Sequence, residues 1–206
     1  MPFIDNDFKI TPLIQTKRIL LTTADEAPVY KATENLAKFL QSQQQRTLLI
    51  DGDLGNGTVD NPALSQVLHD NAALPKAVKH INQLSVLSGK ADTSLAQNPE
   101  SFKMQFFSDL QIYEELFDRV IIAISSQNTH LQQLWLDWTD KTFLYFKNDN
   151  LSMEKTVNFL INHTHQIHGL IGSDKNSHET RLAWIRLKQI VPDAPDLILD
   201  IQKIAL

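Results

Sequence analysis

Short apolar runs alternate along this chain with longer stretches in which apolar residues recur every three or four positions. Arg18-Ile-Leu-Leu-Thr-Thr23 reads as a buried strand. Pro28 marks a turn, and from Lys31 to Gln45 the residues Leu36, Ala37, Phe39 and Leu40 cluster at helical spacing. Thr47-Leu-Leu-Ile50 is a second strand, running into the glycine-rich Asp51-Gly-Asp-Leu-Gly-Asn-Gly57. The pattern then predicts helices from about Pro62 to Leu68 and around Leu74 to Lys79, and a strand at Leu84 to Leu87. Asn98-Pro99 opens a longer amphipathic helix through Leu116, with Phe102, Phe106, Leu110, Tyr113 and Phe117 forming its stripe. Beyond it come a strand at Arg119 to Ile124, a helix near Leu131 to Trp135 and a strand at Thr142 to Phe146. A helix from Met153 to Ile161, a strand at Ile167 to Ile171 and a helix from His178 to Ile190 continue the alternation. Pro195 to Leu206 is apolar on one side at helical spacing and is expected to pack on the domain or on a partner protein.

Strands alternating with helices predict an α/β fold with a mostly parallel, doubly wound central sheet and helices on both faces, because each parallel connection needs a crossover. No repeat, low-complexity tract or linker divides the chain, so the expectation is one domain over residues 1–206. Sheets of this kind bind ligands beyond the carboxyl ends of their strands, which singles out the loops after Thr23, Ile50 and Ile122.

Composition narrows the function classes. The absence of cysteine removes disulfides, thiolate nucleophiles and cysteine-ligated metals, and fits a reducing compartment. Net charge is −5, from 24 acids against 19 dispersed bases, which disfavours nucleic acid as a partner. Met1 to Lys17 offers no basic start followed by an apolar run, and no apolar run approaches the roughly 20 residues of a membrane span. The expectation is a cytoplasmic protein without direct membrane insertion.

Several short segments, in order, carry a resemblance. Asn35-Leu-Ala37 on the first helix and Ile50-Asp-Gly-Asp-Leu54 at the second strand's end are similar to the MinD/ParA group of P-loop ATPases. Leu64-Ser-Gln-Val-Leu68, Leu84-Ser-Val-Leu-Ser-Gly89, Asn98-Pro-Glu-Ser101 and Phe117-Asp-Arg-Val-Ile-Ile122 resemble landmarks of a related branch, the bacterial tyrosine kinases of polysaccharide export. The resemblance spans roughly residues 18 to 172 and implies a P-loop NTPase-like fold.

Where that plan places its chemistry, this sequence departs from it. A phosphate-wrapping loop needs glycines because the backbone must come close and adopt angles that other residues resist. Ala24-Asp-Glu-Ala-Pro-Val-Tyr30 has none. Tyr30 stands where the glycine before the lysine belongs, and Glu26 stands where the MinD/ParA pattern has a second lysine. Ala32 replaces the hydroxyl residue that follows Lys31 and would bind Mg²⁺, with Thr33 one place further on. Ala123 lies where the third loop would begin with an Asp. Asp51 and Asp53 survive, either as remnants of a metal site or as a strand-end turn with side-chain hydrogen bonds. Lys31 could grip an anion or sit solvated in the helix's first turn.

On this reading Lys31, Thr33, Asp51 and Asp53 are vestigial site positions, and no catalytic residue, cofactor or metal is expected. The sequence is then expected to encode a catalytically inactive pseudo-ATPase. By resemblance it would regulate or scaffold a bacterial polysaccharide synthesis or export system, recruited to the inner membrane through a protein partner. A homodimer, or a heterodimer with an active relative, is implied. The alternatives are a MinD/ParA-like protein that positions flagella, pili or the division machinery, a divergent active ATPase or kinase, and a small-molecule enzyme using Asp51 and Asp53. His163, His165 and His168, with His178 nearby, match no standard metal spacing and read as a surface turn. Trp135, Trp138 and Trp184 read as core or interface anchors.

Overall fold

The computed structural model describes residues 15–25, 29–52, 74–81, 84–87, 100–125, 129–147, 149–172, 177–195 and 198–200. Its core is an eight-stranded sheet made of β1 (Arg18–Thr23), β2 (Thr47–Asp51), β3 (Val78–Ile81), β4 (Leu84–Leu87), β5 (Arg119–Ile124), β6 (Lys141–Phe146), β7 (Ile167–Gly172) and β8 (Ile198–Asp200). The strand order is β3-β4-β2-β5-β1-β6-β7-β8. Every pairing is parallel except β3 with β4. Among the described residues five α-helices connect the strands: α1 (Val29–Ser42), α2 (Glu100–Tyr113), α3 (Thr129–Trp138), α4 (Asn150–His163) and α5 (Ser177–Ile190).

The handedness of parallel crossovers decides which face each helix takes. From β1 the chain runs to β2 past β5, in one direction across the sheet, through α1. From β4 to β5, and then from β5 through β6 and β7 to β8, it runs in the other direction, through α2 to α5. Two apolar clusters record the split. Val29, Leu36, Ala37 and Leu40 of α1 pack with Ile19, Leu21, Leu49, Ile121 and Phe143. Phe106 and Leu110 of α2, Trp135 and Leu136 of α3, Leu160 of α4 and Leu187 of α5 pack with Leu20, Leu48, Ile50, Val120, Ile122 and Leu144. Strand residues therefore alternate between the clusters with the period of two that a pleated strand imposes.

Two segments differ from the sequence pattern. Leu74 to Lys79 was expected as a helix, but only Leu74–Lys76 makes a 3₁₀ turn, and Val78–Ile81 pairs antiparallel with β4. Pro75 and the unpaired edge of the buried β4 favour the strand, since pairing satisfies its backbone groups. The carboxyl-terminal segment was expected to be helical, yet Ile198–Asp200 forms β8, parallel to β7. An edge ladder open to pairing overrides helical spacing there. The expected helix at Pro62 to Leu68 lies outside the described residues.

Ion pairs fasten the amino-terminal ends of the strands. Arg18 donates from Nε to both carboxylate oxygens of the buried Glu114 at 3.0 and 2.8 Å, and from its terminal nitrogen as well. Its guanidinium also lies 4.6 Å from the ring centre of Trp138. Asp118, just before β5, accepts from the Arg46 backbone N–H at 2.8 Å and from its guanidinium at 2.9 Å, tying the start of β2 to that of β5. The same partner holds the Asp118 carboxyl down at about 2.

α1 ends in a motif that normally carries glycine. Gln44 has φ 61°, its N–H bonds the Gln41 carbonyl, and the Gln45 N–H reaches back to the Leu40 carbonyl. Gln44→Gly should raise stability by about 0.5–1 kcal/mol, read as a higher urea midpoint, because the left-handed strain of a side chain there exceeds glycine's entropic cost. A second expectation concerns pH. Asp118 has a folded pKa below its unfolded value, so its contribution is present above about pH 4 and is lost as pH falls toward about 2. Asp118→Asn should flatten the urea midpoint over that window, and about 1 M salt should erase most of the difference because the pair is solvent-accessible.

Candidate functional site

β5 lies between β1 and β2, and the chain leaves β1 and β5 toward opposite faces of the sheet. That switch places the crevice for a ligand at the carboxyl ends of β1, β2 and β5, where the three loops singled out from the sequence begin. Thr22 and Thr23 end β1, Asp51 and Gly52 end β2, and Ser125 follows β5; all are buried. Tyr30, in the first turn of α1, faces the same region. Burial first, and the Asp51 and Glu34 carboxylates second, push its phenol up to about 12.

The sequence-predicted positions do not all converge here. The Lys31 side chain is 70% exposed, and its ammonium pairs with Glu34 at 2.7 Å, one helical turn along the surface. Ala32 and Thr33 turn inward instead, and the Thr33 hydroxyl donates to the Val29 carbonyl at 2.9 Å, a local helix bond. Ala32 and Ala123, the two positions that lack a metal-supporting side chain, both belong to the apolar cluster beneath α1. Tyr30 and Asp51 do come together. Glu26 and Asp53 lie outside the described residues, as does the remainder of the loop from 53 to 57.

Sequence reasoning missed the element that holds the strand ends. Gln132 of α3, 4% exposed, donates from Nε2 to the Thr22 hydroxyl at 2.6 Å and to the Thr23 carbonyl at 3.3 Å. One turn on, the fully buried Trp135 donates from its indole Nε1 to the Gly52 carbonyl at 3.3 Å. Gly52 in turn donates from its N–H to the Ala123 carbonyl at 2.7 Å, continuing the β2–β5 ladder by one residue. The Thr23 hydroxyl donates to Asp25 at 2.5 Å, and the Asp25 N–H returns a 3.2 Å bond, closing a tight turn as the chain leaves β1. The available signal was that Gln132 shares a helical face with the apolar Trp135 and Leu136.

The histidines divide among three settings. His163 stacks against Phe159 at 4.5 Å and bonds Gln166, His165 is exposed in the turn, and His168 lies in β7 and accepts from the Thr142 N–H. Burial, then Lys141, lowers the His168 pKa. Among the described residues no group of three His, Asp or Glu is placed to hold a metal ion, and no helix is long and apolar enough to cross a membrane.

No protein-family model and no curated protein sequence matches the chain. Solved structures do. An ATP complex of McdA from Cyanothece superposes with a TM-score of 0.67 at 17% identity, over 90% of this chain and 82% of that one. MinD from the MinC:MinD cell division protein complex of Aquifex aeolicus superposes with a TM-score of 0.65 at 14% identity, over 89% of this chain and 81% of that one. The chain has the fold of the MinD/ParA-type P-loop ATPases. The BceF tyrosine kinase domain shares that fold less closely, with a TM-score of 0.51 at 24% identity, over 89% of this chain and 68% of that one.

These likenesses correct one expectation. The absence of catalysis was read from the loops alone, whereas the MinD/ParA-type fold is that of nucleotide-using proteins, among them McdA with ATP bound and a tyrosine kinase domain. The inactive reading is therefore not carried forward.

Gly52 has a structural reason to be glycine that owes nothing to phosphate. A Cβ there would lie 2.8 Å from the Ala123 carbonyl oxygen and 3.0 Å from both the Ile122 side chain and the Trp135 indole nitrogen. Gly52→Ala should cost about 1–3 kcal/mol, read as a lower urea midpoint, because backbone on one side and a buried ring on the other leave no room to shift.

Proposed function

We propose that this protein is a MinD/ParA-like positioning protein, a single-domain nucleotide-handling ATPase that acts through a protein partner. The observation that carries this reading is the switch between β1 and β5, within a sheet that superposes on ATP-bound McdA and on MinD in complex with MinC. Nucleotide would sit at the carboxyl ends of β1, β2 and β5, with Lys31 turned from Glu34 onto the phosphates and Asp51 and Tyr30 at the rim. Self-association into a dimer and a cytoplasmic setting, with recruitment to a membrane or other site by the partner, complete the proposal. Polysaccharide assembly is the second reading, and the weaker likeness to the BceF kinase domain is its support.

The residues present imply an unusual grip. The first loop has no glycine to bring amides close to phosphate oxygens. Ala32 offers Mg²⁺ no oxygen, and the Thr33 hydroxyl is engaged with Val29. Binding should therefore rest on the lysine more than on the metal.

Calorimetric titration with ATP should show binding in the millimolar range or tighter, with affinity changing less than about threefold on removing Mg²⁺. Lys31→Ala should weaken binding roughly tenfold, about 1.4 kcal/mol. A turnover assay run alongside should show hydrolysis that disappears in Lys31→Ala. No heat of binding up to about 10 mM ATP would overturn the nucleotide part of the proposal. Purification from the native cell tests the rest: recovery of polysaccharide-assembly proteins in place of a positioning or partition partner would shift the reading to the second branch.

A further inference from the structure

Two of the three strand ends at the crevice, those of β1 and β2, are bonded by side chains of one helix, and neither of these residues belongs to the loops themselves. Gln132 binds the end of β1 through two acceptors, the Thr22 hydroxyl and the Thr23 carbonyl. Trp135, three positions later on the same helix, binds the end of β2 through the Gly52 carbonyl. Gly52 is itself bonded to β5, through its N–H to the Ala123 carbonyl at 2.7 Å. Residues three apart on a helix lie on one face and move together. A buried amide and a buried indole are also costly to leave unpaired, so neither contact is given up without replacement.

We propose that Gln132 and Trp135 are positioning residues that couple the first and second loops of this site, so that displacement of the β1 end by an incoming triphosphate is carried through α3 to Gly52. The ligand in this statement rests on the nucleotide reading above; the coupling itself does not. Gln132 holds the first loop in register, while Trp135 sets and reports the position of the second.

The test reads the indole N–H of Trp135 by NMR hydrogen exchange in the full-length protein, first without ligand. Thr22→Val removes the hydroxyl acceptor with little change of shape, and Gln132→Met removes the donor at similar volume. Each should accelerate exchange at Trp135 at least about tenfold, a local opening easier by about 1.4 kcal/mol. Trp184 is the internal control, because its indole N–H bonds the Pro195 carbonyl at 3.2 Å, remote from these loops in the sequence and held by α5. Its exchange should stay within about twofold. Unchanged exchange at Trp135 in both variants would overturn the coupling, and so would equal acceleration at Trp184, which marks general loosening.

A second arm adds ATP to the unmodified protein. Calorimetric binding with a shifted Trp135 indole resonance supports the proposal. Calorimetric binding with that resonance unmoved sinks it, while leaving the nucleotide reading in place. Should ATP not bind at all, the nucleotide reading falls and the ligand-free exchange result decides the coupling by itself.

Discussion

Burial of β5 on every side is the constraint from which the rest of the structure follows. Val120, Ile121, Ile122, Ala123 and Ile124 are each at most 1% exposed, with β1 hydrogen-bonded along one edge and β2 along the other. Each large side chain so buried contributes about 1.5–3 kcal/mol before entropy is counted. A strand buried on both faces must be covered by helices on both, and parallel pairing at both of its edges forces the connections between it and its neighbours to cross over. The handedness of those crossovers then sends α1 to one face and α2 to α5 to the other. The crevice between β1 and β5 is a consequence of that division.

The two ends of the sheet are secured by different chemistry. At the amino-terminal end Arg18 with Glu114 and Arg46 with Asp118 use charge, partly within reach of solvent. Arg18 also covers Trp138, so its long stem and planar head act together as packing and as charge. At the carboxyl-terminal end the contacts are neutral and buried: an amide, two threonines, an indole and backbone carbonyls. Neutral hydrogen bonds at a buried site hold geometry without the desolvation cost of an ion pair. That leaves the Asp25 and Asp51 carboxylates and the Tyr30 phenol as the titratable chemistry there among the described residues.

Much of the fold was legible because its signals are local. Short segments rich in apolar and β-branched residues at Arg18–Thr23, Arg119–Ile124 and Ile167–Ile171 read as strands, and their alternation with amphipathic helices leaves few topologies. Where the reading failed, pairing with a neighbouring strand decided the outcome. Val78–Ile81 became a strand because β4 had an edge to offer, and Ile198–Asp200 did so because β7 had one. The site was less legible than the fold. Lys31 was read either as an anion ligand or as solvated in the helix's first turn, and its side chain is exposed and paired with Glu34; Gln132 carried no motif, and its burial and its bonds to Thr22 and Thr23 are what give it a role.

By itself the sequence determined most of the alternation of strands and helices, the mostly parallel character of the sheet and the absence of glycine between Ala24 and Tyr30, because periodicity and backbone freedom are properties of neighbouring residues. Tertiary structure alone decided which residues meet at the strand ends. Thr22 and Gln132 are 110 positions apart, and Gly52 and Trp135 are 83 apart. No local rule links such pairs; they meet because crossover handedness lays α3 over the ends of β1 and β2, where an amide and an indole find acceptors.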